Sequence, residues 1–209
     1  RDPSGDWTGA SKLTGSELVP GDQFGRTLAV RDDIAALGVI GDDFDLGSVA
    51  IFERQDGVWS EVARVFPETA EAMASITGGQ VDCEGGAAAA FTCSDLDMLS
   101  FLSVADLGAG RGVEVNDVWG WTDPDSGREY ALVGRYDGTS FVDVSDPLNP
   151  RYVGDLPFTA GARGDVWRDI KVYRDHAFIV ADGAGAHGMQ IFDLTKLRNV
   201  RADPVTFEE

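Results

Sequence analysis

One pattern of residues runs twice through the second half of the chain, and it limits the fold more than any other feature. Asp117-Val118-Trp119 recurs as Asp165-Val166-Trp167 at an offset of 48. Tyr130-Ala131-Leu132-Val133 recurs as His176-Ala177-Phe178-Ile179 at an offset of 46. Phe141-Val142-Asp143-Val144 recurs as Ile191-Phe192-Asp193-Leu194 at an offset of 50. Each pass strings short apolar, β-branched runs between Gly, Pro and Asp turns, the signature of antiparallel strands. A period of roughly 40–50 residues with three or four strands is that of a β-propeller blade. The expected class is therefore all-β: blades of four short antiparallel strands, part of a larger ring, with a short helical, disulfide-bearing insertion.

Residues 1–66 carry a second repeat. Gly5-Asp6-Trp7 followed by Lys12-Leu13 returns as Gly57-Val58-Trp59 followed by Arg64-Val65, an offset of 52. Between the two Trp-bearing strands lie three more strand candidates: Thr27–Val30, Ile34–Ile40 after the Asp32-Asp33 turn, and Ser48–Arg54. Asp56-Gly57 is a strong hairpin signal. Four strands closed by the Trp59 strand make one blade, so the chain is expected to open partway into a longer propeller, as a processed or excised piece. Three regions follow: FG-GAP-like blade residues 1–66, a disulfide-bearing connection at 67–115, and blades at 116–209.

The first region resembles an FG-GAP repeat, the blade type of integrin-like propellers and many bacterial surface proteins. The residues that carry the resemblance are Gly21-Asp22-Gln23-Phe24-Gly25, Leu37-Gly38-Val39-Ile40-Gly41-Asp42-Asp43 and Gly47–Arg54 with Trp59. Gly38-Val39-Ile40 stands where Gly-Ala-Pro would be. Such blades often carry an Asp-rich calcium loop, which makes Asp42, Asp43 and Asp45 the calcium candidates. The alternating Asp spacing of a full ligand set is missing, and a solvated acidic turn is the competing reading.

In the connection, Glu68–Ser75 and Ser94–Leu102 both read as short helices; Ser94 stands as a cap and Leu or Phe recurs at helical spacing after it. Cys83 and Cys93 lie in a Gly/Ala-rich loop. Two thiols in a turn-rich β chain point to one disulfide and an oxidising compartment. Gly108–Gly112 lacks the Lys-Ser/Thr ending and strand-to-helix setting of a phosphate loop, so nucleotide binding is set aside.

From Cys83 onward the chain resembles the choice-of-anchor B family of LVIVD repeats. The matching residues are Asp97–Leu102, Asn116–Pro124, Gly127–Gly134, Asp137–Val144, Trp167–Tyr173 and His187–Leu194. The resemblance implies a secreted or surface-anchored bacterial β-propeller without an established catalytic activity.

The chain holds 36 acidic and 17 basic residues, a net charge of −19. Such a surface repels nucleic acid and anionic membranes. No apolar run approaches the roughly 20 residues a bilayer span needs, so direct membrane insertion is not expected. For binding, Trp119, Trp167, Arg168 and Asp169 form the most distinctive polar–aromatic set. They either ring a central pocket or pack as repeated blade elements, with Arg168 and Asp169 pairing neighbouring strands. His187, in the Gly-rich turn Gly183–Gly188, is a further binding candidate that could ligate a metal. His176 reads as a strand-end residue. No Gly-x-Ser-x-Gly elbow is present, and only two His could serve as a base. Asp123–Glu129 resembles part of a calcium loop but sits where a hairpin turn is required. Arg163-Gly164-Asp165 spells an integrin-binding tripeptide, yet its Asp165 belongs to the repeated Asp-Val-Trp.

These features favour a secreted or cell-surface, non-catalytic interaction module of a bacterium, used in adhesion, surface assembly or protein binding. A protein partner or self-association is expected, since an open arc of blades exposes strand edges. The alternatives are an extracellular hydrolase or other metal-dependent enzyme completed by further blades, and a structural spacer of a large surface protein.

Overall fold

The computed structural model describes residues 4, 12–16, 18, 21–42, 46–67 and 73–209. The chain divides into two compact units, Arg1–Ala70 and Glu71–Glu209.

The first unit is one antiparallel meander: β1 (Phe24–Arg31), β2 (Ile34–Val39), β3 (Ser48–Gln55) and β4 (Val58–Val65), in the order β1-β2-β3-β4. Its turns are the expected ones. Asp56 and Gly57 both take positive φ, 50° and 81°, as a two-residue hairpin whose twist matches its strands requires. Strand alternation puts Ala35, Leu37, Val39, Ala50 and Phe52 on one buried face, where Leu13, Leu18, Phe24 and Trp59 pack against them. The other face is apolar too: Val49 stands opposite Val65, and both are exposed, as is Ile34. A sheet apolar on both faces is built to be sandwiched, as a blade is between its neighbours.

In the second unit the disulfide segment comes first. The Cys83–Cys93 bond forms, with Cα atoms 5.9 Å apart, around the small hairpin of β5 (Ala87–Ala88) and β6 (Phe91–Thr92). The helix expected over Ser94–Leu102 is instead extended chain, bridged Val81↔Met98 and Ile76↔Phe101. Asp95 has a φ of 55°, which no right-handed helix accepts in its first turn. The Asp97 carboxylate accepts from the Cys83 amide, and Phe101 packs on Phe91 at 5.0 Å. Tertiary contacts to the disulfide loop thus override local periodicity. The helical piece lies further on, a 3-10 turn at Ala105–Leu107 ended by Gly108. Of the other expected helix, residues 68–72 lie outside the described residues and 73–75 are not helical.

β7 (Val115–Thr122), β8 (Glu129–Arg135), β9 (Gly138–Asp143) and β10 (Arg151–Pro157) form a second four-stranded meander. β11 (Arg168–Tyr173), β12 (His176–Ala181) and β13 (Met189–Asp193) form a three-stranded one. After a 3-10 turn at Leu194–Asn199, β14 (Val205–Thr206) returns to lie parallel to β10. The repeat maps strand for strand: Tyr130 and His176 lie in second strands, Phe141 and Ile191 in third strands.

One core joins the two sheets. Trp121, Tyr130, Leu132 and Phe141 of the first meet Ile170, Ala177, Ile179 and Phe192 of the second, and Phe141 stacks on Phe192 at 4.7 Å. The first strands lie side by side in the same direction. Asn116 Nδ2 donates to the Arg168 carbonyl at 3.2 Å, and the Ile170 amide donates to Asp117 Oδ2 at 2.7 Å. Parallel first strands with the sheets stacked beside them are the arrangement of adjacent propeller blades. On the other face of the first sheet, Ser140 Oγ and Arg135 Nη1 donate to the Leu107 carbonyl at 2.7 and 3.0 Å, holding the disulfide segment there.

Candidate functional site

β11 begins at Arg168, and alternation turns that side chain inward while Asp169 points out. Arg168 is 2% exposed. Its Nε donates to the Arg135 carbonyl at 2.5 Å, and its Nη1 lies 3.0 Å from His187 Nε2. His187 Nδ1 lies 3.2 Å from the Gly188 carbonyl, so the ring proton sits on Nδ1 and Nε2 accepts from Arg168. Nη2 is buried without a partner among the described residues. Burial pushes the Arg168 guanidinium below its ordinary range; Asp137 and Asp165 oppose this, and Arg135 adds to it.

The two sheets hold other buried polar groups. Arg135 donates from Nε to Asp137 at 2.8 Å and from Nη2 to Asp155 at 3.2 Å. Gln190 Nε2 donates to the Pro157 carbonyl at 2.8 Å and to Glu209 Oε1 at 2.6 Å, leaving Gln190 Oε1 buried and unpaired. Thr159 and Gln190 hydrogen bonds hold the Glu209 carboxyl below its usual range, against burial. Thr139 Oγ1 is also buried and unpaired.

Of the five residues singled out for binding, the structure brings Arg168 and His187 together in the inter-sheet layer. The other three lie outside it. Lys171 Nζ stands 4.5 Å over the Trp119 ring and 2.5 Å from Asp169 Oδ1, a half-exposed to exposed trio on the outer surface. The Lys171 hydrogen bond keeps the Asp169 carboxyl below its ordinary range. Trp167 precedes β11, is 67% exposed, and is held through its amide to Asp165 Oδ1 at 2.8 Å. Arg168 and Asp169 part company because residues adjacent in a strand face opposite ways.

Asp42 accepts from Ser48 Oγ and lies 3.4 Å from Arg64 Nη1, so its carboxylate as placed serves a protein cation. Asp43 and Asp45 lie outside the described residues. Among the described residues no three His, Cys, Asp or Glu side chains gather in a way that would hold a metal ion. The Arg163-Gly164-Asp165 tripeptide is tied into its own chain: Arg163 Nε donates to the Gly183 carbonyl at 2.7 Å, and Asp165 caps Trp167. Asp123 is fully buried in the β7–β8 turn, where Arg198 Nε and Nη2 grip its Oδ1 at 2.9 and 2.6 Å. That loop is a turn locked to the 3-10 segment after β13.

Sequence reasoning missed Arg135, Thr139 and Gln190. The one available signal was a mismatch between the passes: Arg135 stands where the second pass has Ala181.

A model of the FG-GAP repeat matches residues 7–52, which take in β1, β2 and most of β3. FG-GAP repeats are integrin-like, β-propeller-type units that occur in extracellular proteins. No curated protein and no solved structure matches the chain. The disulfide points to an oxidising environment. Among the described residues no helix is long and apolar enough to cross a membrane.

Proposed function

We propose that this chain is a non-catalytic β-propeller interaction module of a bacterial secreted or cell-surface protein, acting in adhesion, surface assembly or protein binding. In this reading residues 116–209 are LVIVD-type blades following the FG-GAP blade, and residues 67–115 join them. One observation carries it. The face of the β7–β10 sheet that holds Tyr130, Leu132 and Phe141 is buried by the next blade, whereas the matching positions of the β11–β13 sheet are open. His176 is exposed, Phe178 half-buried and Ile191 50% exposed, with Val180 and Met189 beside them. An apolar face that its repeat partner keeps dry is a surface for another protein.

Light scattering on fractions from size exclusion, over a range of concentrations and with surface-protein extracts added, tests this. The wild-type chain is expected to form a larger species, and Ile191→Lys to lose it while keeping its melting temperature. An unchanged complex in Ile191→Lys would remove this face from the account; no complex under any condition would remove the interaction reading.

A further inference from the structure

Arginines elsewhere in the chain show what a shielded guanidinium normally receives here. Arg135 has Asp137 and Asp155 at 2.8 and 3.2 Å, Arg198 has Asp123 and Asp125 at 2.6 and 2.7 Å, and Arg64 has Glu61 and Asp42 at 3.1 and 3.4 Å. Arg168 is as buried as Arg135, yet among the described residues no carboxylate lies within salt-bridge distance of it. Its acceptors are a carbonyl and a neutral imidazole. A buried cation with no carboxylate in contact is destabilised by its lost hydration, and a water molecule supplies a hydrogen bond but no charge.

We propose that the Arg168 guanidinium is the receptor for one carboxylate group of a ligand, received in the inter-sheet layer beside Thr139 and Gln190. Three buried, unpaired polar atoms belong to strands whose inward faces bound that layer. Thr139 pairs with Gly134 across β8–β9, next to the Arg135 carbonyl that holds Arg168 Nε. Gln190 is bonded to Pro157, whose strand partner is Gly138. Nη2 of Arg168 donates, Gln190 Oε1 accepts and Thr139 Oγ1 does either, a set that fits an anion with a polar neighbour. Of the two groups now on Arg168, the Arg135 carbonyl is fixed in β8. His187 lies outside the strands, on the Gly183–Gly188 connection, and in this proposal is the acceptor that the ligand replaces. A carboxylate in its place takes Nη1 and Nη2 together, the paired geometry a guanidinium favours.

This inference deepens the interaction reading, but its test does not depend on a protein partner. Sodium acetate, with sodium chloride at matched ionic strength as control, is titrated into the whole chain while side-chain resonances of Arg168 and His187 are followed. Saturable shifts of both with acetate alone are expected. Arg168→Lys, which keeps the charge and loses the fork, is expected to weaken binding at least about tenfold. A blocked peptide with one Glu, against its Gln twin, separates sources: tighter binding than acetate means a peptide ligand, equal binding a small acid. Equal effects of acetate and chloride, or no shift at Arg168 in the wild type, would overturn the proposal and leave buried water as the occupant. Acetate binding without protein association would retain this site and discard the module.

Discussion

Asp123 shows how far one side chain can reach in this fold. Burial disfavours its charge, but the Arg198 grip, the Ser126 hydroxyl and the Asp125 amide outweigh that and hold its carboxyl down to about 2. Because the folded value lies below the ordinary 3.8, the stabilisation is whole above that pH and is lost as pH falls through about 2. Asp123→Asn leaves part of the Arg198 fork unanswered and is expected to cost roughly 1–3 kcal/mol at neutral pH. Denaturant melts at pH 7 and pH 2 check this: the gap between wild type and variant should narrow at the lower pH. The sequence made Asp123–Gly127 legible as a turn, since Pro, Asp, Ser and Gly say so locally. Its partner was not legible, because Arg198 lies 75 residues further along the chain, after all three strands of another sheet. The same holds at Arg168, whose burial follows from which neighbour sits across the layer and not from its flanking residues.

At the scale of elements, the strands and hairpins were largely readable because each is written in local turn chemistry and alternation. Ser94–Leu102 was not, since a helix-like spacing of Leu and Phe also suits an extended segment whose apolar groups meet a disulfide loop. That loop gives a direct check. Reducing Cys83–Cys93 releases a short closed loop and is expected to lower stability by about 3 kcal/mol, read as a drop in the denaturation midpoint on adding reductant. β14 offers another. Gly154 in β10 takes a φ of 147°, and a Cβ there would overlap the Val205 backbone. Gly154→Ala is expected to detach β14 while the β7–β9 ladder stays intact, visible as faster amide exchange at Phe207, whose amide bonds the Asp155 carbonyl at 2.8 Å. A rigid Phe207 amide in that variant would show that β14 is held by something other than this close approach.

For the whole molecule, the net charge of −19 repels itself in the folded state. Salt should therefore raise the melting temperature, most steeply below about 0.15 M, where the screening length shortens fastest. A melting temperature indifferent to salt would mean that the carboxylates are already matched by their local partners. Repeat period and apolar patterning announced blades, but two passes of a repeat cannot say which of their faces are shut. That difference has a consequence of its own. Tyr130, Leu132 and Phe141 meet Ala177, Ile179 and Phe192, so the joint between blades couples unlike surfaces, a socket on one side and a plug on the other. Such a joint has polarity. Two identical sockets do not fit each other, so a twofold pair is not its natural product. Under the proposed function, whatever seats on the β11–β13 face would bring the plug, and the assembly would read in one direction only, like a chain of arrows.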